Sequence, residues 1–172
     1  MAGTLTVQNL QGPSSGANAN TVLIPSSQTL YAPGHVIQYK STLTNTTTTL
    51  SPPSGQVTIL SLTFTPHSAD SIIRIHWSQG QSTKVSAAGT GSWLTAGILL
   101  DGTYKQELAM GAMGYPEAVA DQRYMPSKTG YISSWSGQKT ISHFVEVGST
   151  GSNWIINHQG YYTHLDVMEI AQ

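Results

Sequence analysis

From Gly34 onward, apolar side chains recur at every second residue in short runs, the spacing that places them on one face of a β-strand. Thr58, Leu60, Leu62 and Phe64 share one face, with Ile59, Ser61 and Thr63 on the other. Ile73, Ile75 and Trp77 alternate with Ile72, Arg74 and His76. Leu94, Ala96, Ile98 and Leu100 form a third run that stops at Asp101-Gly102, a hairpin turn signal from which Tyr104 to Leu108 returns. Ile141, His143, Val145 and Val147 alternate with Ser142, Phe144 and Glu146. Trp154 to Ile156 is a brief run, and Leu165, Val167 and Glu169 alternate with Asp166, Met168 and Ile170. Gly, Pro, Ser and Asn clusters separate these runs, as in an antiparallel all-β sandwich or barrel. The best helical candidate, Glu117 to Arg123, is short and lies between Pro116 and Pro126. Residues 111 to 130 therefore read as one long connection, and Thr46 to Thr49, closed by Pro52-Pro53, as an exposed loop.

Composition narrows the function classes. Only 9% of the 172 residues are charged, with a formal net charge of -1, against roughly 25% charged in an average domain. Electrostatic capture of nucleic acid or of an anionic membrane has no basis in such a chain. No apolar run approaches the roughly 18 residues of a membrane span, and MAGTLTVQNLQG lacks the basic start and apolar stretch of a secretory signal. Zero cysteines remove disulfides, thiol nucleophiles and cysteine-based metal sites. Ser and Thr, close to a quarter of the chain, take the place of charge. A near-neutral surface gives copies little reason to repel one another. Ile72 beside Ile73, and Ile98 beside Leu99 and Leu100, put apolar groups on both faces of a strand and predict subunit contacts.

The chain divides near Pro33-Gly34. Residues 1–33 hold two brief apolar stretches, with Leu5, Val7 and Leu10 in one and Val22, Leu23 and Ile24 in the other. Gly12 to Asn20 between them has linker chemistry throughout. A segment so poor in large apolar groups cannot bury much area alone, so it reads as an extended N-terminal arm that orders against something else. Residues 34–172 form the β domain.

Chemistry-bearing motifs are sparse. His143, His158 and His164 lie in the last third, but no HxH pair or HExxH motif is present, and no metal or cofactor is expected. The GxSxG spacing of Gly12-Pro13-Ser14-Ser15-Gly16 falls in the linker-like segment rather than at a strand-to-helix turn, so no elbow marks a serine nucleophile. Glycosidase chemistry needs two facing carboxylates; the acids are scattered singly, and Glu117 with Asp121 is the best pair available. Ala88-Gly89-Thr90-Gly91 lacks the lysine and strand–loop–helix setting of a phosphate cradle. No catalytic residue is therefore assigned. Of the four tryptophans, Trp77 and Trp154 adjoin apolar strands and read as core, while Trp93 and Trp135, flanked by Ser and Gly, are the candidate exposed contact aromatics.

Several motifs in order resemble a family of small bacteriophage virion proteins. They are Ala32-Pro33-Gly34-His35-Val36-Ile37-Gln38, Ser61 to Ser68 leading into Ser71-Ile72-Ile73-Arg74-Ile75, Leu99-Leu100-Asp101-Gly102-Thr103, and Leu165 to Ala171. Gly3 to Val7 and Val22 to Pro25 are similar to the family's lead-in. The likeness covers most of residues 33–112 and 138–172, and the segment 113–130 has no counterpart. The resemblance implies a jelly-roll β-sandwich that assembles as a homotrimer and works as a head-decoration (cement) or tail-fibre protein. Decoration is the favoured expectation, because the sequence has no heptad, collagen-like or β-helical shaft. The implied partners are copies of itself, the major capsid protein and, for a fibre, a host surface glycan. The implied location is the virion, assembled in the bacterial cytoplasm. The arm's Leu5, Val7, Leu10, Val22, Leu23 and Ile24 are then the candidate capsid anchor.

Overall fold

A computed structural model describes residues 15–16, 32–85, 93–114, 123–148 and 153–172, with side chains from 112 to 114 excepted. The six arm residues, Glu117 and Asp121 lie outside these. Twelve strands are present among the described residues: β1 (Val36–Thr44), β2 (Thr48–Leu50), β3 (Gly55–Phe64), β4 (Ile72–Ser78), β5 (Ser82–Lys84), β6 (Trp93–Leu100), β7 (Thr103–Gly114), β8 (Arg123–Tyr124), β9 (Ser127–Ser133), β10 (Lys139–Gly148), β11 (Trp154–Ile156) and β12 (Thr163–Ile170). Among the same residues, one 3-10 turn spans His158–Gly160.

The eight long strands make two antiparallel sheets, ordered β1-β12-β4-β9 and β3-β10-β6-β7. Their inner faces form one core and the fold is a β-sandwich: Ile73, Ile75, Trp77, Leu165 and Val167 from the first meet Phe64, Leu94, Ile98, Ile141 and Val145 from the second. The short strands form a third sheet, β2-β11-β5-β8. Each short strand lies in a connection that passes from one large sheet to the other, so this small sheet caps one end of the sandwich. Turns 65–71, 101–102 and 134–138 lie at the opposite end.

Two departures from strict alternation have physical causes. Between β3 and β10, His143 pairs with Leu60 and Phe144 with Thr58, leaving Ile59 as an extra, bulged residue. The bulge reverses the faces before it: Val57 and Ile59 turn toward the core and Thr58 outward, so Thr58 does not share the face of Leu60. The expected long connection 111–130 is also shorter than its sequence implies. Strand β7 runs on to Gly114, and β8 and β9 take Arg123–Tyr124 and Ser127–Ser133. Likewise Thr48–Leu50 is not a loop. It pairs with Trp154–Ile156 as β2, anchored by the buried Leu50.

Candidate functional site

Two surfaces stand out. The first is the outer face of the β1-β12-β4-β9 sheet, where strand register sets the side chains in rows. Val36, Ile170, Ile72 and Ser133 make one row, and Tyr39, Met168, Arg74 and Tyr131 the next. Ser41, Asp166, His76 and Thr129 follow, then Leu43, His164, Ser78 and Ser127. In the first two rows every residue but Ser133 and Arg74 is apolar or aromatic, and Tyr39 and Tyr131 at the ends of the second are 52% and 60% exposed. The Tyr39 hydroxyl donates to Asp166 Oδ1 at 2.9 Å, and Arg74 Nη1 donates to Met168 Sδ at 3.3 Å.

The second is a cleft of about 490 Å³ between β7 and β9, the free edges of the two large sheets. Its lining includes Lys105 and Glu107 from β7, Ser133 from β9, and Ser134, Trp135 and Lys139 beyond it. Trp135 is half-buried, with its ring edge-on to Phe64 at 6.2 Å. Its Nε1 is buried and finds no hydrogen-bond partner among the described residues. Lys139 reaches Asp101 at 3.7 Å, while Asp101 Oδ1 accepts the Thr140 N–H at 2.8 Å. Asp101 is thus a turn residue, held at φ 49.

Trp93 is not part of that cleft. It is half-buried at the start of β6, opposite Gly148, where a Cβ would meet its indole at 1.6 Å. Glycine at 148 leaves the ring its seat. Trp93 adjoins the Gly148 end of β10 and Trp135 precedes the Lys139 end, so roughly 30 Å of strand separates them at ~3.3 Å per residue. They form no shared platform.

The histidines are dispersed. His143 lies wholly inside the core, its Nδ1 3.0 Å from the Gly97 carbonyl, and desolvation pushes its pKa down to about 4 despite that hydrogen bond. His158 Nδ1 contacts Thr83 Oγ1 at 3.2 Å, and His164 sits on the outer face. Among the described residues, no three His, Asp or Glu side chains gather as a metal site, and no helix is long and apolar enough to cross a membrane. The buried carboxylate of Glu169 is fully engaged: it accepts from the His67 and Ser68 amides and the Ser71 hydroxyl, each at 2.8 Å. Ile72 beside Ile73 signalled the apolar face in the sequence, but Tyr39 and Tyr131 join it only through the strand order.

No family model matches the sequence, and no curated protein matches it. Among solved structures the chain is similar to the EclA C-terminal domain, described as a sugar-binding protein, at 13% identity and a TM-score of 0.37, covering 94% of this chain and 99% of that one.

Proposed function

We propose that this chain is a non-catalytic structural subunit of a bacteriophage particle: a homotrimeric decoration protein of jelly-roll type that binds the major capsid protein and fastens the head lattice. Strand order supports the jelly roll. Counting only the long strands, the sheets run 1-8-3-6 and 2-7-4-5. These are the pairings 1·8, 2·7, 3·6 and 4·5 of one long antiparallel hairpin wrapped into two sheets, an architecture common among capsid domains.

The observation that carries the structural role is the outer face of the β1-β12-β4-β9 sheet. A lone sandwich keeps such a face polar, whereas here Val36, Ile72, Ile170, Tyr39, Met168 and Tyr131 adjoin one another. In this proposal the segment 1–33, spanning up to about 100 Å if extended, adds the capsid anchor through Leu5, Val7, Leu10 and Val22 to Ile24. Assembly takes place in the bacterial cytoplasm, onto completed shells. A stained gel of purified virions, calibrated against the major capsid band, tests this: hundreds of copies per particle support decoration, and absence from the particle refutes it. A variant lacking residues 1–30 should stay folded and fail to bind empty shells.

A receptor-binding fibre is the second reading, favoured by the cleft beside Trp135. Its aromatic ring, serine hydroxyls and mixed charges are groups that engage a glycan. Tens of copies per virion, with binding to host glycan lost in Trp135→Ala, would establish that role instead.

A further inference from the structure

We infer that the outer face of the β1-β12-β4-β9 sheet is the contact between copies of this chain, with Arg74 of one copy paired to Asp166 of another. This rests on the structural-subunit reading but not on its three-fold assembly: a face complementary to itself pairs copies two by two about a two-fold axis, so the contact is additional to the one that would close a trimer.

Charge selects the occupant. Arg74 and Asp166 are the only Arg, Lys, Asp or Glu in the four rows of the face, and their charges are opposite. Neither has an ion-pair partner among the described residues, where Lys139 with Asp101 is the pair that forms. The two stand on neighbouring strands in adjoining rows, since Arg74 pairs with Met168 and Asp166 with His76. Diagonal neighbours of this kind lie about 7–8 Å apart, within reach of a long side chain. The guanidinium nevertheless turns to the Met168 sulfur, a weak acceptor, and leaves most of its donors free of the protein. Asp166 accepts the Tyr39 hydroxyl through Oδ1, which leaves Oδ2 open.

A face with one open donor fork and one open acceptor, net charge zero and apolar rows beside them is complementary to itself. A strongly acidic or basic partner would leave one of the two charges facing its like. A wholly apolar partner would strip water from both and leave them unpaired, which is costly. A second copy satisfies both. His76 and His164, the other titratable groups of the four rows besides the tyrosines, lie on the Asp166 side. Four strands at ~4.8 Å and eight residues at ~3.3 Å give about 500 Å² of projected area. Two such faces together reach the roughly 1,000 Å² that a specific interface needs.

Light scattering after size exclusion, at micromolar concentration, tests the pairing with Arg74→Glu, Asp166→Arg and the double swap. The wild type should give a multiple of 18.3 kDa. Each single variant should dissociate at about tenfold lower dilution or worse, and the double variant should regain the wild-type mass. Circular dichroism reports whether each variant stays folded, and Tyr131→Ser, at the exposed end of the apolar row, weakens assembly without touching either charge. Assembly unchanged in both single variants and in Tyr131→Ser would overturn the interface and leave the structural-subunit reading standing. A wild type of 18.3 kDa at all concentrations would overturn both.

Discussion

The indole of Trp77 and the imidazole of His143 lie stacked across the sandwich, their centroids 4.6 Å apart and their planes 27° apart. Each ring is tied to its surroundings by one hydrogen bond: Trp77 Nε1 donates to the Leu108 carbonyl at 2.9 Å, and His143 Nδ1 lies 3.0 Å from Gly97 O. With Nδ1–H facing a carbonyl, Nε2 is the unprotonated nitrogen, and it is buried without a partner among the described residues. The pair joins the two sheets at the cost of one unsatisfied acceptor.

That geometry predicts an acid-sensitive core. The folded state holds His143 neutral down to about 4, whereas the unfolded chain takes up the proton near 6.5. Between those values the unfolded state binds more protons, so stability is full above pH 6.5 and falls as the pH drops toward 4. The total loss from this group is about 3 kcal/mol. Urea unfolding between pH 7 and 4 should show it, and His143→Phe should flatten the slope. An unchanged slope in that variant would assign the acid sensitivity to other groups.

Glu169 fixes the turn between β3 and β4 through the His67 and Ser68 amides and the Ser71 hydroxyl. A glutamine there keeps the shape but brings an amide donor against donors. Glu169→Gln is expected to lower stability at neutral pH by about 2 kcal/mol, the range of a charged hydrogen bond lost in a buried setting. Ser71→Ala, which removes one donor and leaves the carboxylate its two amides, should cost about 1 kcal/mol. Equal losses in the two variants would contradict this division of roles.

The central strands β4 and β12 were legible because one face of each is wholly buried and the other is not, which produces clean alternation. The edge strands β1 and β9 were not. Val36–Thr44 and Ser127–Ser133 mix apolar and polar residues on both sides and are largely exposed, since an edge strand needs little burial to be held by its neighbour's backbone. The bulge left one mark, Ile59 directly before Leu60, where the apolar alternation changes phase, and a reading in a single phase from Thr58 to Phe64 passes over it. The candidate face was half visible. Ile72 appeared as a surplus apolar group, but the adjacency of Tyr39, Met168, Arg74 and Tyr131 exists only once four strands distant in sequence are set side by side.

Gly80 tests how tightly the capped end is built. A Cβ at this position would lie 2.3 Å from Asn157 Oδ1 and 2.8 Å from the Tyr161 carbonyl, while Gly80 N–H donates to Thr163 Oγ1 at 2.9 Å. Gly80→Ala should therefore destabilise by about 2 kcal/mol or more, as overpacking against backbone does. Gly111→Ala is the control, since nothing among the described residues lies within 4 Å of its Cβ. Thermal melts of the two variants should differ clearly in midpoint; equal midpoints would mean that the cap yields.

Asn157 is the hub of that end. Its side chain accepts from Thr163 Oγ1 at 2.6 Å and donates to the Thr46 carbonyl at 3.0 Å, and its own carbonyl accepts from Thr47 Oγ1 at 3.2 Å. It is wholly buried and held at φ 57 and ψ 37, the left-handed region that asparagine tolerates better than most residues. Two variants separate these contributions. Asn157→Gly loses the side-chain hydrogen bonds but relaxes the backbone, at a net cost of about 2 kcal/mol. Asn157→Ala loses the same bonds and adds the left-handed penalty, roughly 1 kcal/mol more. Chemical denaturation should rank wild type above Asn157→Gly and Asn157→Gly above Asn157→Ala. The reverse order for the two variants would show that the backbone at 157 follows its side chain rather than the fold around it.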